Sequence, residues 1–262
     1  MNILEKIVVH KKVEVQGRKL KKSVAAMEKT DYFSRDCLSL RQFLADSGRT
    51  GIIAEFKRKS PSKGVINDIA TVKEVTAAYA TAASGISVLT DEIFFGGTME
   101  DLQEARFNQV PLLRKDFMID EYQILEAKSI GADVILLIAA CLSPATVKQF
   151  AGLSRRLGME VLLEIHNEEE LGHICAEVDM VGINNRNLKT FEVDINTSLA
   201  LLEKIPGYMP AIAESGISNV DTIVTLHRAG FRGFLIGENF MKHPKPAVAF
   251  ADFVHQLKTK LV

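Results

Sequence analysis

The chain has 262 residues, 47% hydrophobic and 25% charged, with 17 glycines and 7 prolines. This composition supplies a sizeable core and excludes a disordered, collagen-like or low-complexity chain. Its 32 basic and 33 acidic residues balance to a net charge of -1, which argues against bulk attraction to nucleic acid or acidic lipid. Cys37, Cys141 and Cys175 form no Cys-x-x-Cys pair and are too scattered for a disulfide framework, and the histidines show no zinc-ligand spacing. The longest apolar run, Val134 to Leu142, falls well short of the ~20 residues needed to cross a bilayer. No signal core precedes the charged N-terminus, so a cytoplasmic location, without membrane, nucleic-acid partner or metal, is expected.

In chain order, Ile3–Val15 and Leu38–Leu44 read as helices that precede the repeating part of the sequence. Eight of the first thirty residues are Lys or Arg, and Ile3, Leu4, Ile7 and Val8 share this segment with them, which predicts an amphipathic helix packed by its apolar side with its basic residues in solvent. From Gly51 a short aliphatic run, a loop and a helical pattern recur every ~20–35 residues, the spacing of β/α units with parallel strands. The predicted strands are Ile52–Phe56, Ile86–Leu89, Pro111–Arg114, Val134–Ile138, Glu160–Leu163, Met180–Ile183, Ala211–Ala213 and Phe234–Ile236. Unbroken apolar runs such as Val134–Ile138 suit strands covered on both faces. Ser143-Pro144 opens a helix that Gly158 ends, and Asn167–Glu170 and Ser218–Asp221 open two more with acidic first turns.

Eight such units form either a closed barrel or an open doubly wound sheet. No glycine-rich dinucleotide or nucleotide loop follows the first strand, which favours a closed (β/α)8 barrel. The chain then reads as one domain, residues 1–262, with residues 1–48 as a helical extension.

In a parallel barrel the site forms at the carboxyl ends of the strands. Those ends carry Glu55 and Lys57, Arg114-Lys115-Asp116-Phe117, Glu164, Asn184-Asn185-Arg186, Glu214-Ser215-Gly216 and Gly237-Glu238. Alternate residues share a side, so Glu55 and Lys57 point together, as do Asn184 and Arg186. This builds a ring of carboxylates and cations at one mouth; a structural salt-bridge cap is the plain alternative. Ser215-Gly216 and Gly237-Glu238 fit an anion site, where glycine lets backbone N–H groups approach a phosphate. The Ser60-Pro61-Ser62-Lys63-Gly64 loop is a further candidate wall. Arg186 can meet a carboxylate with its planar fork, and Asn185 beside it is expected to be structural.

Six segments resemble one family, the indole-3-glycerol phosphate synthases of tryptophan biosynthesis: Ile53–Gly64, Leu113–Phe117, Leu162–His166, Gly182–Leu188, Ala213–Ile217 and Phe234–Glu238. All six occur in order at predicted strand ends, and the match spans nearly the whole chain. The resemblance implies a barrel whose N-terminal helices help cover the site. It also implies closure of 1-(2-carboxyphenylamino)-1-deoxyribulose 5-phosphate to indole-3-glycerol phosphate with loss of carbon dioxide and water, without a metal or organic cofactor. Lys115 matches the family's general acid, Glu164 a general acid/base for the dehydration, and Lys57 a lysine that fixes the substrate and shares proton transfer. Glu55, Asn184 and Glu214 match the polar frame, and Phe117 and Leu188 the apolar walls around the anthranilate ring. Ser60, Ser215, Gly216, Gly237 and Glu238 match positions around the substrate, chiefly its phosphate. Some relatives carry Ser at position 238, and a carboxylate would repel a phosphate, so a backbone contact with the Glu238 side chain turned away is expected.

Two questions stay open on sequence. Lys57 and Arg186 would lower the Lys115 pKa from its ordinary ~10.4 while Glu55 and Glu164 would raise it. Rival readings keep the barrel: a Schiff-base lysine acting on sugar phosphates, an isomerase, or a phosphosugar-binding barrel without turnover. No heptad seam or long exposed apolar stretch is readable, so a monomer is expected.

Overall fold

The computed structural model describes residues 2–186 and 192–261. Eight parallel strands pair in sequence order and the last returns to the first. They are β1 Ile52–Phe56, β2 Gly85–Leu89, β3 Leu112–Lys115, β4 Val134–Ile138, β5 Glu160–Ile165, β6 Met180–Asn184, β7 Ala211–Glu214 and β8 Gly233–Ile236. With helices between the strands this is a (β/α)8 barrel of the TIM type, as expected.

Two details of the strands bear on the site. β3 begins one residue later than predicted, because Pro111 has no N–H to donate and enters only through its carbonyl, which accepts the Ile86 N–H at 2.9 Å. β5 runs two residues further, to Ile165, which brings Glu164 into the sheet opposite Gly182. The helix Pro144–Arg156 starts at the Ser143 cap and ends at Gly158, whose φ of 77° suits glycine. Asn167 caps the next segment through the Glu170 N–H, although Glu168–His173 is a 3-10 helix where an α-helix was expected.

Side chains alternate along each strand and sort into two layers. Ile52, Ala54, Phe56, Val161 and Leu163 face outward into the shell shared with the helices. Ile53, Leu113, Val134, Leu136, Leu162, Met180, Ile212 and Leu235 fill the barrel itself. At the carboxyl ends the inner layer turns strongly polar, where Glu55, Lys115, Glu164, Asn184 and Glu214 continue the inward parity.

The segment before β1 touches both ends of this barrel. Helix α1 (Ile3–Lys21) is longer than predicted and lies by its first turns over the mouth. Further along, the carbonyls of Arg18 and Lys22 accept the Tyr122 hydroxyl at 3.0 and 2.8 Å. Then Asp133, just before β4, takes the Leu38 N–H at 2.8 Å and Arg35 at 2.5 Å. Helix α2 (Val24–Met27) lies within this descent, and helix α3 (Leu40–Ala45) closes the amino end. Its Leu40 and Leu44 join the barrel-filling layer beneath Gly85 and Gly233, where an added methyl group would meet them at 2.7 and 3.3 Å.

One expectation for α1 fails. Lys11, read as a solvated lysine, is completely buried between Ile7 and Val15, four residues from each on the inward face. Its Nζ lies 2.8 Å from Glu14, 2.8 Å from Asp91 and 2.9 Å from Asp116. Asp116 also accepts Arg114 at 3.0 Å and the Thr90 hydroxyl at 2.8 Å. Burial alone would raise the Asp116 carboxyl, but Lys11 and Arg114 hold it well below the usual carboxylate range. A buried lysine survives here because three carboxylates surround it.

Candidate active site

The mouth of the barrel holds a cavity of about 420 Å³. Its floor is Leu136, Ile138 and Leu235, its apolar wall is Leu89, Phe95 and Phe117, and Ile3, Leu4 and Ile7 of α1 form the roof. Phe95 and Phe117 pack with ring centroids 5.9 Å apart. The polar side carries Glu55, Lys57, Ser60, Lys115, Glu164, Asn184, Arg186, Glu214, Ser215, Gly216, Gly237 and Glu238. The residues matched to the family's site therefore converge on one cavity, except Leu188, which lies outside the described residues; of the Ser60–Gly64 loop, Ser60, Pro61 and Ser62 line it and Lys63 and Gly64 do not.

The centre is Lys115, at the end of β3. Its Nζ donates to Glu214 Oε2 at 2.5 Å and to Glu164 Oε2 at 3.2 Å. Asn184, register partner of Glu214, donates through Nδ2 to Glu164 Oε1 at 3.0 Å. Across the mouth Lys57 pairs with Glu55 at 2.8 Å, the pairing that strand alternation places on one side. Two glycines make room for these carboxylates. An added methyl at Gly182 would stand 2.1 Å from Glu214 Oε1, and one at Gly237 would stand 2.5 Å from Glu55 Oε1.

Burial works to lower the Lys115 pKa, but Glu214, Glu164 and Glu55 outweigh it and raise it far above the ordinary lysine value. The nearby cations therefore do not win, and Lys115 is a fully loaded ammonium. Burial, aided by Glu164 and Glu55 and opposed by Lys115, pushes Glu214 up to about 7. Glu164 goes the other way: burial would raise it, but Lys115, His166 and Asn184 hold it well below the carboxylate range. The two carboxylates that share the ammonium are thus shifted in opposite directions.

The anion side is built from strained backbone. Ser215 has φ of 66° and Gly216 of 72°, and the serine's left-handed conformation costs about 1–2 kcal/mol. Asn185 holds it there, donating to the Ser215 carbonyl at 3.0 Å while accepting from the buried Ser198 hydroxyl at 2.5 Å. Asn185 is thus structural, as expected. The Glu238 carboxylate lies 3.9 Å from the Arg186 guanidinium.

Sequence reasoning did not single out His166, Phe95 or the floor. Alternation from Val134 would have found Leu136 and Ile138, but His166 carried no spacing signal. Its Nε2 lies 3.1 Å from Glu164 Oε1 and its Nδ1 3.3 Å from Glu170 Oε2.

A family model described as indole-3-glycerol phosphate synthase matches residues 4–253. An indole-3-glycerol phosphate synthase of Bacteroides thetaiotaomicron is 45% identical over 259 residues, covering 98% of this chain and 99% of its own length. Another, from Albidiferax ferrireducens, is 40% identical, covering 96% of this chain and 97% of its own. Among solved structures, a tryptophan synthase complex from Pyrococcus furiosus provides a chain that matches with a TM-score of 0.61 at 18% identity, over 80% of this chain and 99% of that one. Thiamine phosphate pyrophosphorylase from the same organism gives 0.57 at 16% identity, over 80% and 96%. At such identities these two likenesses are of fold alone. Taken with the family match along nearly its full length, the chain belongs to the indole-3-glycerol phosphate synthase family.

Proposed function

We propose that the chain closes 1-(2-carboxyphenylamino)-1-deoxyribulose 5-phosphate to indole-3-glycerol phosphate, carbon dioxide and water. The observation that carries this reading is the Lys115 ammonium held between Glu214 and Glu164 at the edge of a cavity half lined by hydrocarbon. Every substrate atom reappears in the products and no electrons are gained or lost, so the scheme needs no redox partner, and neither a metal nor an organic cofactor enters it.

The anthranilate ring lies against the wall of Phe117 and Phe95. Ser60, Ser215, Gly216 and Gly237, with the backbone of Glu238, take the phosphate, and Arg186 serves the carboxylate. Lys115 gives its proton to the ketone oxygen as the ring carbon bearing the carboxylate attacks the ketone carbon. The Lys115 ammonium holds its proton before this step, and the oxygen it meets becomes an alkoxide basic enough to take that proton as the carbon–carbon bond forms. Carbon dioxide then leaves and the ring regains aromaticity. In the last step the new hydroxyl departs as water, with Lys57 sharing the proton delivery, while Glu164 accepts a proton from the CH2 beside the nitrogen. Glu55, Asn184 and Glu214 hold these groups in place. A Schiff-base role for Lys115 is disfavoured, since an imine requires the free amine that Glu214 and Glu164 suppress.

We also propose that the chain works as a monomer in the cytoplasm and as one domain of residues 1–262 with 1–48 as its extension. No helix among the described residues is long and apolar enough to cross a membrane.

The test is the purified protein mixed with the substrate, in the presence of a chelator, with indole fluorescence as readout. Lys115→Ala is expected to nearly abolish product formation and, by leaving Glu214 and Glu164 without their cation, to cost about 3–5 kcal/mol of stability, so circular dichroism first establishes that the variant is folded. Near-normal turnover in that variant removes Lys115 from its role, and no product from folded wild type leaves the phosphosugar-binding barrel as the better reading.

A further inference from the structure

Glu164 is gripped from behind by a residue outside the cavity lining. Its Oε2 faces Lys115, while its Oε1 receives Asn184 and lies 3.1 Å from His166 Nε2. The other ring nitrogen is 3.3 Å from Glu170 Oε2, the same oxygen that accepts the His166 backbone N–H at 2.7 Å. Glu170 is itself fixed by the Asn167 cap. The imidazole therefore stands between two carboxylates, one at each nitrogen. The Nδ1 contact is a hydrogen bond and the Nε2 contact an ion-pair approach off the hydrogen-bond line; a neutral ring would set a lone pair against one of the two carboxylates, whereas an imidazolium meets both with positive charge.

The other groups near this pair do not reverse that preference. Lys115 lies on the far side of Glu164. The Cys141 thiol, after β4, is pushed up to about 12 by burial and stays neutral. His173 is engaged with the carbonyls of Glu170 and Leu142. Burial disfavours the charge on His166, but Glu164 and Glu170 overcome it and raise the ring to about 10.

We infer that His166 is a positioning residue for Glu164: a permanent imidazolium that turns the carboxylate toward the cavity and keeps it able to accept a proton. This rests on the proposed role of Glu164 in the dehydration. The need arises from the order of events. Glu164 is buried beside Glu214, and both burial and the neighbouring carboxylate favour its protonated form. Lys115 counters this only while it holds its proton, and the ring closure takes that proton away. A cation behind Glu164 that gives up nothing in the reaction keeps the base available after the acid has discharged.

The experiment compares wild type with His166→Gln, which keeps an amide donor but carries no charge. The kcat of the variant is expected to fall about 10-fold or more with KM within about twofold. Its acidic limb in the kcat–pH profile is expected to move up by about one pH unit, because Glu164 protonates more readily without the cation. A purely structural role would lower the rate evenly at all pH values, so an unmoved limb overturns the inference, as does an unchanged kcat. Nitrogen NMR of wild type at pH 8 gives a second readout free of turnover and of the variant's folding. The His166 ring should carry both protons, and a neutral ring overturns the inference. If wild type makes no indole product, the reaction assignment fails, while the NMR still decides the charge of His166.

Discussion

Gly182→Ala tests how tightly the carboxylate frame is built. The added methyl group would lie 2.1 Å from Glu214 Oε1, 3.2 Å from its Cδ and 3.3 Å from Leu162 Cδ1. Normal carbon–oxygen contact requires roughly 1 Å more, so the carboxylate must retreat by about that distance. It has nowhere neutral to go, since Glu214 is 1% exposed and its other oxygen is 2.5 Å from Lys115. Overpacking of this kind costs about 1–3 kcal/mol of stability. A 1 Å displacement carried to Lys115 is expected to lower kcat by about 100-fold. The assay pairs thermal unfolding with the steady-state rate of indole formation. Gly152→Ala supplies a control of identical chemistry, because its methyl would meet only Arg156, at 3.7 Å, in the interior of a helix. There a gain of about 0.5–1 kcal/mol is expected. A Gly182→Ala variant with wild-type melting and kcat within twofold refutes the tight frame.

Three further outcomes are expected. Glu214→Gln should grow more stable relative to wild type as pH rises from about 4.5 to about 7 and hold that difference above, because a carboxyl with a raised folded pKa loses stability as it ionises. Urea titrations across that range check it, and a pH-independent difference counts against it. Lys11→Met leaves Asp91 without its cation and Asp116 with Arg114 alone, and should cost about 3–5 kcal/mol at pH 7, with KM rising as the roof loosens; a loss below about 1 kcal/mol by chemical denaturation would show that the pairing is dispensable. Leu40→Ala, at the opposite end from the site, should cost about 2–5 kcal/mol by the same method and leave kcat unchanged, and a fall in kcat would place α3 in the site's support.

The barrel and its ring of strand-end groups were legible because period-two alternation and the rule that sites form at strand ends act locally on each strand. Glu55, Lys57, Asn184 and Arg186 could be aimed from their own neighbours alone. Lys11 could not: its burial depends on Asp91 and Asp116, which no local pattern links to it, so a lysine in the middle of an inward stripe passes for a solvated one. His166 failed for a similar reason, since its meaning comes from carboxylates on both sides of the ring. The charge state of Lys115 was a sum of opposing influences whose signs the sequence supplies but whose distances it does not.

The segment ahead of β1 reaches both ends of the barrel, with α1 over the mouth and α3 beneath it. Its anchors are drawn from across the chain: Asp91 and Asp116 early, Asp133 and Glu160 in the middle, and Ile212 and Leu235 near the end. That segment is thus held by partners far from it in sequence, from Asp91 to Leu235, and its seat is made by tertiary contacts rather than by local pairing. Ile3, Leu4 and Ile7 at one end and Leu40 and Leu44 at the other lie on one covalent stretch, so the roof of the mouth and the plug of the opposite end are tied together by the chain that runs between them.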